Sequence, residues 1–162
     1  MAAKVLILMG SKSDAEVMSE ASRVLDTLGI PSTTTVSSAH RSPARTRKIV
    51  REAEEKGCLV IIAGAGMAAH LAGVVAAETV LPVIGVPLAS SPLAGLDALL
   101  STAQMPGGVP VATMAIGKAG AQNAAYLAAQ ILALADAKLG KKLRQRRREM
   151  AEAVAAAAKE IR

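Results

Sequence analysis

Five short strand-like runs, separated by stretches with helical periodicity, constrain this chain more than any other feature. Residues 4–9, 32–37, 59–63, 82–86 and 111–116 read as strands. They are short and nearly all apolar, the second being rich in Thr and Val. Between them, residues 13–28 place Val17, Ala21, Val24, Leu25 and Leu28 on one helical face and end at Gly29-Ile-Pro. Residues 43–56, 67–79, 96–105 and 119–138 read as further helices, and a polar, basic helix follows Gly140. Strands that are apolar on both faces must be covered on both faces. Alternation with helices supplies that cover and makes the sheet parallel.

Right-handed crossovers then predict a three-layer αβα sandwich, a flavodoxin-like parallel α/β sheet of about five strands with an extra C-terminal helix. A length of 162 residues fits one domain, with residues 1–138 as the α/β core. The helix spanning residues 139–162 is too polar to bury itself on its own sheet. It is expected to be exposed or to lie on a neighbouring subunit.

The core has to be built from small aliphatic residues, because the chain is 52% hydrophobic with one Tyr and no Phe or Trp. The net charge of +6 is concentrated in residues 141–149, KKLRQRRRE. Such a run is either a nucleic-acid patch or the solvated face of a terminal helix. No aromatic residue interleaves with it, so base stacking has nothing to use and no nucleic-acid partner is expected. A single cysteine, Cys58, excludes an intrachain disulfide. It reads as a small core residue, with a thiol nucleophile as the weaker alternative. Lys4 leads straight into a strand, so no signal peptide is expected. No apolar run reaches the roughly 18 residues of a membrane span. A reducing cytoplasm is the expected compartment.

Chemistry concentrates where the first three strands end. In open α/β sheets, ligands bind at the carboxyl ends of strands. MGSKSD follows the first strand, SSAHRSP the second and AGAGMAAHLAG the third. In the first, Gly10 permits close approach of the backbone, and Ser11 and Ser13 offer hydroxyls to an anion at a helix start. Asp14 suits a sugar hydroxyl, although Ser13 or Asp14 equally suits a helix cap. The second adds Ser38, the acid/base candidate His40, and Arg41, whose guanidinium matches phosphate. In the third, Gly64 and Gly66 suggest a backbone that approaches a ligand. His70 is either a second site group or a buried, hydrogen-bonded histidine. The two histidines and the cysteine have no metal-ligand spacing. GAG lacks the dinucleotide fingerprint. The residues together suggest a pocket for a phosphorylated sugar with a histidine beside it.

These three motifs, with the block LDALLSTAQMPGGVPVATMAIGKAGAQNAAYLAAQIL, resemble the N5-carboxyaminoimidazole ribonucleotide mutase family of purine biosynthesis (PurE). The resemblance runs from about Lys4 to Ala135. It implies a flavodoxin-like domain, assembly as a homo-octamer, and no cofactor or metal. It also implies transfer of a carboxylate from the exocyclic nitrogen to carbon 4 of the imidazole, through released carbon dioxide. By matching positions, it makes Ser11, Asp14 and Arg41 ribonucleotide contacts, with Ser13 and Ser38 beside the phosphate. His40 becomes the acid/base at the ring. Ala65, Gly66, His70 and Leu71 surround the carboxylate or carbon dioxide, and Gln104-Met105-Pro106 shapes the pocket from another loop or subunit. Two positions depart from the family pattern: Met67 stands where it has Gly, and Ala72 where it has Pro.

Other readings are weaker. A related branch carboxylates aminoimidazole ribonucleotide directly with carbon dioxide. It typically has Lys after the SAH histidine and lacks the AAHL histidine, so Arg41 and His70 favour the mutase. A receiver module would need an acidic pair after the first strand. A flavin module would need aromatic stackers, and Tyr126 sits in a helix.

Overall fold

The computed structural model describes residues 3–161. Five parallel strands, β1 (Val5–Met9), β2 (Ser32–Val36), β3 (Val60–Gly66), β4 (Val83–Leu88) and β5 (Ala112–Thr113), form one sheet in the order β2-β1-β3-β4-β5. This is the flavodoxin-like order, with its switch point between β1 and β3. β1, β4 and the first five residues of β3 are buried on both faces, as their apolar runs require. β2 is an edge strand in which no residue is buried, and Thr33, Thr34 and Val36 are exposed. The register Met9↔Val36 and Met9↔Gly64 brings the ends of β1 and β2 level, with β3 running two residues further. The three loops that follow therefore meet at one edge.

Helix α1 (Ala15–Leu28) buries Met18, Ala21, Leu25 and Leu28, a 3-4-3 spacing that traces one face. It ends at Gly29, whose φ of 74° closes the last turn in the left-handed region. α1 and α5 (Lys118–Ala133) pack on one face of the sheet, where Ala121, Ala124, Ala125, Ala128 and Ala129 are all fully buried. Alanines there let α5 lie close to both α1 and the strands. The opposite face carries α2 (Pro43–Glu55), α3 (Leu71–Glu78) and α4 (Leu96–Ala103). Cys58 lies in this second core, a buried free thiol whose pKa burial pushes up. The core reading of this residue holds.

Several element boundaries differ from the sequence expectation, and α5 ends at Ala133 rather than running to residue 138. β3 continues through Ala63-Gly-Ala-Gly rather than stopping at residue 63. α3 begins at Leu71 rather than at residue 67, because Met67 adopts φ 55° and the His70 N–H turns back onto the Ala68 carbonyl at 2.8 Å. A left-handed residue interrupts helical propagation. β5 shrinks to two residues at the sheet edge, with the chain following β4 only through Met114 N–H to Gly85 O and Gly117 N–H to Pro87 O. The last helix, α6 (Ala137–Glu160), starts before Gly140 rather than after it. The Asp136 carboxylate accepts from the Lys138 and Leu139 N–H groups at 2.9 and 3.1 Å, and this cap outweighs the helix-weakening effect of Gly140. No helix among the described residues is long and apolar enough to cross a membrane.

Candidate active site

Each of the first three loops is fixed by its own hydrogen bonds before any ligand is considered. After β1, Ser11 is the N-cap of a short 3₁₀ turn (Lys12–Asp14). Its hydroxyl accepts from Ser13 N–H at 3.4 Å, and the Asp14 carboxylate reaches back to Ser11 N–H at 2.9 Å. The capping role is thus shared reciprocally by Ser11 and Asp14, with Ser13 Oγ donating to Ser11 Oγ at 3.0 Å. Asp14 is buried, and burial raises its pKa from the usual 3.8. Hydrogen bonds from Ser11 and Ser13 and the nearby Arg41 charge pull the other way.

The loop after β2 is anchored from below. Ser37 and Thr46 hydroxyls meet at 2.8 Å in the core, tying the strand end to the first turn of α2. Ser42 Oγ donates to Ser38 O at 3.0 Å and accepts from Ser38 N–H at 3.2 Å. Pro43 then opens α2 with a φ already suited to it. Arg41 spans the first two loops: its Nε donates to Ser38 Oγ at 3.4 Å and its Nη2 to Gly10 O at 3.3 Å. The guanidinium is thereby held over the Ser11–Ser13 hydroxyls with donors to spare.

The third loop brings the two histidines together. His40 Nε2 lies 2.8 Å from His70 Nδ1, with the rings edge-on at 85°. His70 is exposed and precedes the first turn of α3, so the reading of it as a buried histidine is overturned. Gly64 and Gly66 also have reasons other than ligand approach. A Cβ on Gly64 would sit 2.2 Å from Met18 Sδ, so this glycine admits α1 to the sheet. A Cβ on Gly66 would sit 1.6 Å from Ser90 Oγ.

One cleft of about 530 Å³ collects these groups. Ser11, Ser13, Asp14, Ser38 and Arg41 form a polar, anion-suited side. His40 and His70 stand beside it. Ala65, Gly66, Met67, Ala68 and Leu71 form a small-residue wall. Ser11, Ser13, Asp14, Ser38, His40, Arg41, Ala65, Gly66, His70 and Leu71, all expected from sequence, line this cleft. Gln104, Met105 and Pro106 do not, and Met105 instead packs on Gly73, whose Cβ would lie 3.1 Å from its Sδ. Sequence reasoning missed Ser90, which reaches the cleft from beyond β4. The rule that found the other loops applies to it, since it too follows a strand's carboxyl end.

Fold and cleft define a class: flavodoxin-like α/β proteins that hold an anionic small molecule at the sheet's carboxyl edge, here with a histidine pair against it. A family model described as AIR carboxylase matches residues 4–153. The N5-carboxyaminoimidazole ribonucleotide mutase of Bacillus subtilis (strain 168) is 55% identical over 148 residues, 91% of each chain. That of Escherichia coli (strain K12) is 51% identical over 152 residues, 94% of this chain and 90% of its own. Among solved structures, Treponema denticola PurE superposes with a TM-score of 0.88 at 28% identity, covering 96% of both chains. The chain belongs to the AIR carboxylase family.

Proposed function

We propose that this protein is an N5-carboxyaminoimidazole ribonucleotide mutase, an isomerase of purine biosynthesis that needs no cofactor. The observation that carries the reading is the joining, in one cleft, of an anion-suited side, a histidine pair and an uncharged small-residue wall. The relatives at 51–55% identity that carry this name support it.

In this reading the ribose phosphate binds to the Ser11, Ser13, Ser38 and Arg41 side, and Asp14 takes a ribose hydroxyl. Binding energy from the phosphate is thus spent remote from the reacting atoms. The shift then balances with one proton. The nitrogen–carboxyl bond breaks, carbon dioxide leaves, and the nitrogen gains a proton. Carbon 4 attacks the carbon dioxide and loses its own proton. A single imidazole, His40, can give the first and take the second. The wall of Ala65, Gly66, Ala68 and Leu71 offers carbon dioxide no charged group and little room, so recapture competes with escape.

The family resemblance adds an octamer, which we adopt as the assembly. Support comes from α4, where Leu96 and Leu100, one turn apart, are 54% and 50% exposed, and from Leu93 just before it, 61% exposed. Asp97 beside them has a buried carboxylate oxygen, Oδ1, with no partner among the described residues. A neighbouring copy would cover these leucines. A cytoplasmic location goes with this metabolic role.

The test is incubation with chemically made N5-carboxyaminoimidazole ribonucleotide in buffer containing labelled bicarbonate. The carbon-carboxylated isomer should form, with little label in the first turnovers. Product whose label equilibrates at once with the solvent would favour direct carboxylation instead. No isomer at all would remove the mutase reading.

A further inference from the structure

Ser90, two residues beyond β4, stands on the small-residue wall of the cleft, where His70 is the other hydrogen-bonding side chain. Its neighbours there are Ala65, Gly66, Met67, Ala68 and Leu71. Part of the backbone of that wall is paired within the fold. β3 pairs with β4 at Ala65↔Pro87 and Gly66↔Leu88, and His70 N–H goes to Ala68 O. Ser90 N–H is itself taken by Leu88 O at 3.0 Å, which leaves the hydroxyl for a ligand.

The position is built rather than incidental. Gly66 has no side chain where the Ser90 hydroxyl lies, 1.6 Å from a would-be Cβ. On the far side, a Cβ on Gly95 would fall 3.2 Å from Ala89 Cα, so the Ala89–Ser90 segment is pinned between two glycines. The loop reaches this arrangement through two successive left-handed residues, Ala94 at φ 51° and Gly95 at φ 88°. A non-glycine in that region is held there only when its surroundings demand it.

A carboxylate brought to an apolar wall without a donor loses hydration uncompensated. Carbon dioxide, being neutral, has no such need. A single hydroxyl on that wall therefore favours the carboxylate, both before and after its shift, over the gas between. We propose that Ser90 is a substrate contact whose hydroxyl donates to the migrating carboxylate and keeps it against the β3–β4 wall. This rests on the carboxylate-shift reading above.

The experiment compares wild type, Ser90→Ala and Ser90→Thr, all supplied with N5-carboxyaminoimidazole ribonucleotide. Two products are followed: the isomer, and aminoimidazole ribonucleotide released by decarboxylation, after subtraction of the enzyme-free rate. Ser90→Ala should lower kcat/KM for the isomer by about tenfold, the scale of one hydrogen bond to a charged group. The share of substrate ending as the decarboxylated product should rise several-fold. Ser90→Thr, which keeps the hydroxyl, should restore most of both. Ser90 is exposed, so both variants should fold with an unchanged thermal midpoint. An unaltered product ratio in Ser90→Ala overturns the proposal, as does equal loss in Ala and Thr, which would indicate packing. An inactive wild type would instead strike at the mutase reading, so the two failures are distinct.

Discussion

At 2.8 Å, His40 Nε2 and His70 Nδ1 share one hydrogen, so their tautomers are linked. If His40 donates, its Nδ1 keeps a lone pair. If His70 donates, the His40 proton sits on Nδ1. His70 thus decides which His40 nitrogen accepts and which gives. His40→Asn should keep substrate binding but lower kcat by at least about 100-fold, the lower end for general acid–base catalysis. His70→Leu should lower kcat by a smaller factor with KM nearly unchanged, and steady-state kinetics on the two variants separates the roles. The reverse order would make His70 the acid/base. Asp14 gives a second prediction at this scale. Its carboxyl is raised above the ordinary 3.8 by burial, so the folded state holds that proton more tightly than the unfolded chain. The associated stability is fully present below that value and is lost as pH rises through the raised one. Asp14→Asn carries no such titration. Its urea midpoint, relative to wild type, should therefore improve as pH rises from below the ordinary carboxylate value through the raised one. A gap that narrows or stays constant over that interval would contradict the burial argument.

At the scale of elements, the parallel sheet and its helices were legible because strands buried on both faces must be apolar throughout. The loops at the ends of β1, β2 and β3 were legible for a related reason, since Ser-Lys-Ser-Asp and His-Arg-Ser-Pro are more polar than a turn requires. Small residues misled. Gly64 read as ligand approach, yet it lies outside the cleft and admits Met18, while Gly66 lines the cleft and also admits Ser90, contacts between segments far apart in sequence that no local pattern encodes. The start of α3 was misplaced because Ala-rich sequence hides the left-handed Met67, a position where the family pattern has the glycine such a φ favours. Ser90 was overlooked because Ser-Ser-Pro reads as an ordinary turn. The Gly64 contact makes a test of α1 packing. Met18 is fully buried, so its sulfur has nowhere to swing when a methyl arrives 2.2 Å away. Gly64→Ala should destabilise the fold by about 1–3 kcal/mol, the usual cost of overpacking. In a Met18→Ala background the same change should cost little or nothing, and a double-mutant cycle in urea reads the coupling. Equal costs in both backgrounds would mean that the strand, rather than the helix contact, requires the glycine.

For the whole molecule, α6 is the element with least reason to stand alone. Its first turns are anchored: Leu139 is buried, Leu143 packs on the same core, and Lys142 Nζ donates to the Leu28 carbonyl at 3.1 Å, completing the end of α1. Arg146 still reaches Tyr126 of α5, and past it the helix leaves the domain. Met150, Val154 and Ile161 are 50%, 71% and 87% exposed, at spacings of four and seven that place them on one face. Burying side chains of this kind is worth about 1.5–3 kcal/mol each, and no core of this chain covers them. Leu93, Leu96 and Leu100 of the α4 region are similarly uncovered. Two apolar faces left uncovered among the described residues are the ingredients of self-association. Ending the chain at Arg148 removes the stripe while keeping Leu139, Lys142 and Leu143, so the domain should fold with an intact α1–α5 core. Light scattering should then show a particle smaller than wild type by more than the deleted residues account for, and the wild-type mass should be independent of salt because the contacts are apolar. An unchanged assembly would leave the end of α6 as a solvated helix and move the interface to α4 alone. A mass that falls with rising salt would return the basic run to the centre of the assembly.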